Sequence, residues 1–312
     1  MIESRKKVYS LLSNYNRSLT KEGFVYTFDI PEKNLASLKV AAFDYINRSL
    51  IQNYGKDFKI CSARDLNTHI EKILKMPNIT PNGKFLPKNG TAIFLNNVQK
   101  ELIAYLKKID ILKNIDKLQS VNIWIKTHKQ SDEFSNRPLY TGKIHSDAWV
   151  GHPGDSILWL SPVMSKKNTM EIIEPLNPAD DYLSVSDTFE EARERYSGTK
   201  LIGKVRYGKM AIMDHMCLHR TYYEEDSFPR ITISCGVTMR SEESLEKKSN
   251  KAFRKEFDSS YYPVSILKEV GRTLTFSVKE TLAECETRFK DKNKKHAILP
   301  NNGVTIEPCV RL

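Results

Sequence analysis

The sequence predicts a mainly β protein with flanking helices, and three observations lead to that class. Between residues 119 and 240, VNIWIKT alternates polar with apolar, β-branched residues, and DSILWLSPV, KVRYGKMAIMD and RITISCGVTM are further short strand-like runs separated by turn-like segments. The first 118 residues instead carry apolar residues at three- and four-residue spacings. With 312 residues, 40% apolar and 28% charged, the chain can bury a core without disulfides or a structural metal, and its composition is that of an ordered protein.

Taken in order, LASLKVAAFDYINRSLIQ over Leu35 to Gln52 predicts a helix, and Ala63 to Met76 a second with a weaker pattern. Residues 77–92 hold three Pro, two Gly and three Asn and read as a loop, after which Val98 to Ile109 resumes as an amphipathic helix. Residues 1–118 are thus expected to form a helical N-terminal region of one elaborated domain spanning 1–312, with the β core at 119–240. Inside that core, residues 164–203 read as a lid-like insertion, a long loop with a short helix that Ser186 or Asp187 caps, and its Tyr182 and Arg195 are candidates for reaching a substrate. Residues 241–312 form a C-terminal extension with a strand or helix over Ile266 to Val278.

Composition narrows the partners. The 49 Lys and Arg against 38 Asp and Glu give +11, an excess that draws anions such as a dicarboxylate, a phosphorylated small molecule or nucleic acid. The chain shows no nucleic-acid recognition motif, which disfavours the last of these. Five Cys, at 61, 217, 235, 285 and 309, are odd in number and lack a CxxC pair, so neither a disulfide framework nor a thiolate zinc site is expected and a reducing compartment fits. No apolar run approaches a membrane span, and Met1 to Ser13 lacks the apolar stretch of a signal peptide, so a cytoplasmic location without membrane partners is expected.

Five of the seven His, at 128, 145, 152, 215 and 219, lie in the β-rich stretch. In GKIHSDAW, His145 and Asp147 are separated by one residue, so on an extended backbone both side chains leave one face and can converge on one ion. His215 and His219 each offer a third ligand. Two imidazoles and a carboxylate leave the other side of an octahedral ion open, which suits non-haem Fe(II), although zinc accepts the same donors. Arg230 and Thr232 share a face of RITIS and place a guanidinium and a hydroxyl where one carboxylate could be held. Trp124, Lys126 and His128 alternate on another strand-like face and could line the cavity, and Arg137 and Lys143 could engage an anion.

Over about residues 119–240 these motifs resemble the Fe(II)- and 2-oxoglutarate-dependent dioxygenases. The closer likeness is to the phytanoyl-CoA-hydroxylase-like branch, which includes oxygenases of streptomycin and other carbohydrate biosynthesis clusters. The run RPLYTGKIHSDAWVGHPGDSILWLSPV is similar to that branch, with the iron pair followed by Trp149, a Gly-containing turn at His152 and a strand ending in Pro162. The resemblance implies a double-stranded β-helix of the jelly-roll, cupin-like type. It implies an iron triad of His145, Asp147 and His219, the last favoured over His215 because GKMAIMD looks like the strand preceding the family's distal histidine. It further implies that Arg230 and Thr232 bind the cosubstrate 2-oxoglutarate and that O2 is the second cosubstrate. Succinate and carbon dioxide would then be released as a small molecule, anionic or carbohydrate-like, is hydroxylated, desaturated or cyclised. Related halogenases have Gly or Ala at the position of Asp147, so halogenation is disfavoured. The alternative reading is a metal-dependent, cupin-like isomerase or lyase, which would bind a metal and form no succinate.

Overall fold

The computed structural model describes residues 2–21, 23–55, 57–130, 140–150, 155–176, 198–242, 244, 261–278 and 304–309. A short helix α1 (Ile2–Val8) leads into strand β1 (Val25–Asp29), and the long helix α2 (Glu32–Tyr54) follows Pro31. Leu35, Leu38, Ala42, Tyr45, Ile46 and Leu50 form its buried stripe at helical spacing. Gly55 ends it in the left-handed conformation, φ +60°, with its N–H on the Ile51 carbonyl. Two single-turn helices, α3 (Ala63–Thr68), capped by Ser62, and α4 (Ile70–Leu74), precede α5 (Asn89–Lys108). α5 packs along α2, and α2 in turn lies on β4 (Ser156–Val163).

The remaining strands are β2 (Ile115–Leu118), β3 (Asn122–Lys126), β5 (Asn168–Pro175), β6 (Thr199–Lys204), β7 (Lys209–Asp214), β8 (Leu218–Tyr223), β9 (Arg230–Met239), β10 (Tyr262–Pro263), β11 (Leu274–Val278) and β12 (Val304–Pro308), with a one-turn helix α6 (Val264–Leu267) after β10. A seven-stranded sheet runs β1-β7-β4-β9-β2-β10, and β3 also pairs with β9. A three-stranded sheet runs β6-β5-β8, and β11 pairs with β12 alone against α5. Every residue of β4, β5 and β9 is buried or nearly so. One continuous core joins the helices to both larger sheets, taking Leu38 and Leu102 from the helices, Ile231 and Ile233 from β9, and Met170 and Ile172 from β5.

The fold is therefore mixed α/β with three separate sheets. The expected mainly β, cupin-like jelly roll is corrected, because among the described residues the strands form three open sheets and none closes on itself. Two features of the chain account for the difference. VYTFD in the N-terminal region forms an edge strand against β7, in register from Val25 opposite Met213 to Asp29 opposite Lys209, so this region is part of the main sheet. The apolar stripes of α2 and α5 also need a surface to cover, and they make the helices a structural layer. The expected lid-like insertion is described only in part. Its 168–175 portion is the buried central strand β5, and Thr199–Lys204 is β6, whereas Tyr182, Arg195 and the helix expected after Ser186 or Asp187 lie outside the described residues.

Residues 79–85, read as loop, form a tight hairpin along β3. Ile125 N–H donates to the Gly83 carbonyl at 2.8 Å, and Phe85 N–H to the Ile123 carbonyl at 2.9 Å. Gly83 has φ +84°, and a Cβ there would lie 1.9 Å from the Ile125 carbonyl oxygen. Gly83→Ala is expected to destabilise the protein by about 2 kcal/mol or more, combining left-handed strain with a backbone clash, as measured by urea denaturation.

Candidate metal centre

The site is built on the turn between β7 and β8. Asp214 Oδ1 accepts the Met216 N–H at 2.7 Å, and the Cys217 N–H reaches the Asp214 carbonyl at 3.0 Å, which closes the turn. Its carbonyls then orient two other segments. That of His215 accepts Ser146 Oγ at 2.8 Å and the Ala148 N–H at 3.0 Å, holding the chain on both sides of Asp147. That of Cys217 lies 3.1 Å from His219 Nδ1. Residues 141–145 run beside β8, with Thr221 N–H on the Thr141 carbonyl and His145 and His219 exchanging both backbone hydrogen bonds, at 3.0 and 2.9 Å.

This pairing brings His145, Asp147 and His219 together, with one ligand-capable atom from each within 4.8 Å of the others. The imidazole centroids are 4.3 Å apart. His145 Nδ1 lies 2.8 Å from the Lys143 carbonyl. A carbonyl only accepts, so Nδ1 of each ring donates, which leaves Nε2 as the atom that can face a ligand. Burial, reinforced by the neighbouring His219, pushes the pKa of His145 down to about 3 against the weaker upward pull of Asp147. The ring is thus neutral, the form that binds a metal. Two imidazoles and one carboxylate suit a divalent first-row ion.

The backbone differs from the extended form that the spacing suggested. Asp147 opens a 3-10 turn, Asp147–Val150, and converges with His145 because the His215 carbonyl anchors the turn. His215 is buried with Nδ1 3.8 Å from Asp147 Oδ2, behind the carboxylate and outside the three-residue cluster.

A second feature lies along the same face. Arg230 opens β9 and is 1% exposed. Its Nη2 lies 3.5 Å from Thr221 Oγ1, and its guanidinium carbon 5.2 Å from the Trp159 ring. Among the described residues its Nε and Nη1 have no hydrogen-bond partner, and neither does the buried Oγ1 of Thr232 on the same face of the strand. Burial lowers the Arg230 pKa to about 9, which leaves the group charged at neutral pH. A buried cation costs several kcal/mol unless an anion meets it, and the aromatic face offsets only part of that. The two open donors and the hydroxyl therefore match a carboxylate brought by a ligand. Thr221 and His219 share a face of β8, so the residue that Arg230 meets lies about 7 Å along the strand from the histidine.

Sequence reasoning missed Thr221 and Trp159. The signal for Thr221 was its two-residue step from His219; Trp159 is identified only by the pairing of β4 with β9, which sets it beside Ser234. Lys126 and Trp124 do lie on the Arg230 face, opposite Arg230 and Thr232. Lys126 Nζ donates to the Asn82 carbonyl and to Thr141 Oγ1, while His128 lies beyond the end of β3. The Lys143 carbonyl serves His145. Arg137, His152 and the Trp149 side chain lie outside the described residues.

The sequence matches no protein-family model and no curated protein. Among solved structures it is similar to AviO1 from Streptomyces viridochromogenes Tue57, with 13% identity, 69% of this chain and 89% of that chain covered, and a TM-score of 0.41. It is also similar to the non-heme alpha ketoglutarate dependent carbocyclase SnoK from nogalamycin biosynthesis, with 10% identity, 69% and 79% covered, and a TM-score of 0.35. A third is EctD from S. alaskensis with 2-oxoglutarate and 5-hydroxyectoine, at 10% identity, 68% and 70% covered, and a TM-score of 0.36. Among the described residues, no helix is long and apolar enough to cross a membrane.

Two outcomes follow from the electrostatics. Arg230→Met removes a buried unmatched charge and should stabilise the ligand-free protein by about 1 kcal/mol or more in calorimetry. In metal-free protein, His145 contributes stability that is complete above its unfolded pKa of about 6.5 and declines as pH falls toward 3, because only the unfolded chain takes up the proton. Urea denaturation in chelator between about pH 6 and pH 4 should therefore show an extra slope of about 1.4 kcal/mol per pH unit that His145→Gln removes.

Proposed function

We propose that this chain is a non-haem Fe(II)- and 2-oxoglutarate-dependent oxygenase acting on a small molecule, with His145, Asp147 and His219 as metal ligands and Arg230 and Thr232 as cosubstrate-binding residues. The observation that carries this reading is the buried Arg230 guanidinium, open toward a ligand and reached from His219 through Thr221. A two-histidine, one-carboxylate cluster alone suits several divalent ions and several reactions. A buried, unmatched cation one strand step away calls for a short dicarboxylate, chelating at one end and anionic at the other.

When bound, Fe(II) with 2-oxoglutarate and O2 supplies the oxidising power, with succinate and carbon dioxide as the cosubstrate's products. The protein's part is orientation and charge. His145 and His219, each held through Nδ1, would present Nε2 as ligand atoms from two adjacent backbones. Asp147 supplies the single negative charge of the ligand set. Arg230 would offer Nε and Nη1 to the distal carboxylate, and Thr232 its hydroxyl, all three being buried and without hydrogen-bond partners among the described residues. The substrate we favour is a small anionic or carbohydrate-like metabolite, drawn in part by the +11 charge of the chain.

Anaerobic titration of the Fe(II)-reconstituted protein with 2-oxoglutarate tests the proposal. The expected result is a weak visible metal-to-ligand absorption that is absent in His219→Ala. In Arg230→Ala its appearance should need at least about tenfold more 2-oxoglutarate, the order expected when a charge-assisted pair is lost. Absence of the band in the unaltered protein, or a band insensitive to Arg230→Ala, refutes the reading. Succinate release in air separates an oxygenase from an isomerase or lyase using the same metal ligands.

A further inference from the structure

The turn that orients the metal-facing groups depends on a charge supplied from the other end of the chain. Asp214 is fully buried. Arg5 of α1 reaches it with Nε at 3.1 Å and Nη2 at 2.7 Å, both on Oδ1, the same oxygen that accepts the Met216 N–H. These two residues are 209 positions apart, and the Arg5 side chain is itself only 9% exposed. Phe24, just before β1, adds backbone support, with its carbonyl accepting the Asp214 N–H at 2.9 Å.

We infer that Arg5 is a positioning residue of the metal centre, anchoring Asp214 so that the 214–217 turn presents its carbonyls to His219 and to the Asp147 segment. The inference rests on the proposed metal-binding role of His145, Asp147 and His219. Its physical basis is a short chain of bonds. Arg5 neutralises Asp214, whose Oδ1 fixes the Met216 amide; the same turn sets the Cys217 carbonyl on His219 Nδ1 and the His215 carbonyl on Ser146 and Ala148. Without Arg5 a buried carboxylate must take up a proton, admit water or move, and each response disturbs the oxygen that closes the turn. Docking of the N-terminal helix and binding of the metal are consequently coupled, and the coupling is reciprocal.

Co(II) serves as the probe, with affinity read from its visible ligand-field absorption in the full-length protein. Arg5→Met is expected to weaken Co(II) binding about tenfold, as for other outer partners of metal ligands, and Arg5→Lys to recover part of the loss. Hydrogen exchange at residues 216–219 of the metal-free protein should quicken in Arg5→Met, and Co(II) should slow exchange at residues 5–9 of the unaltered protein. Leu106→Ala, a buried truncation in α5 remote from the turn, controls for general destabilisation and should leave Co(II) affinity within about twofold. Unchanged affinity in Arg5→Met, or an equal loss in Leu106→Ala, overturns the inference. If Arg5→Met does not fold, Arg5→Lys decides: Co(II) binding weaker than in the unaltered protein supports the inference, and unaltered affinity overturns it. Failure of the metal reading has its own signature, Co(II) binding in unaltered protein that is absent or survives His219→Ala.

Discussion

Asp214 must be neutralised where no water reaches it, and the arrangement around the candidate metal centre depends on how this is done. Its carboxylate oxygen takes two nitrogens from Arg5 and one backbone N–H from Met216, so one atom joins the start of the chain to the β7–β8 turn. The turn then sets two carbonyls, one behind His219 and one behind the chain flanking Asp147. His145 follows because it exchanges backbone hydrogen bonds with His219. Burial of one ion pair thereby organises three side chains from two distant stretches of sequence.

The molecule treats its two prominent buried charges in opposite ways. Asp214 meets Arg5 inside the protein through Oδ1, while its Oδ2 has no hydrogen-bond partner among the described residues. Arg230 is equally buried, yet among the described residues its Nε and Nη1 meet no acceptor. An unmatched buried cation lowers stability, so its persistence points to a ligand that completes it. Trp159 and Thr221 limit the cost without satisfying the two open nitrogens. The contrast is between a buried charge that has a counter-ion inside the protein and one that has none among the described residues.

Several parts of the site are legible in the sequence because they are local. One residue separates His145 from Asp147, and alternation in RITIS puts Arg230 and Thr232 on one face, whatever surrounds them. The strand-like runs that form β3, β4, β7 and β9 are legible in the sequence as well. VYTFD is harder to read, since a five-residue edge strand between helices gives few alternations against a strong helical background. β5 is buried along its whole length, and a strand covered on both faces loses the alternation by which strands are recognised. Trp159 and Arg5 leave no local signal, because their roles arise from partners 71 and 209 positions away.

Chemical potential, in the sense of which donors exist and at what short-range spacing, was thus determined by the sequence: two imidazoles, a carboxylate, a guanidinium and a hydroxyl in recognisable local patterns. Sheet pairing decided the rest. It chose His219 over His215 for the cluster, opened a turn at Asp147 where an extended backbone was expected, and arranged the strands as three open sheets under a helical layer. The reason is one of range. Alternation along a strand is set by bonds between neighbouring residues, whereas register between strands and the matching of buried charges depend on hydrogen bonds and desolvation between segments that meet only when the chain has folded.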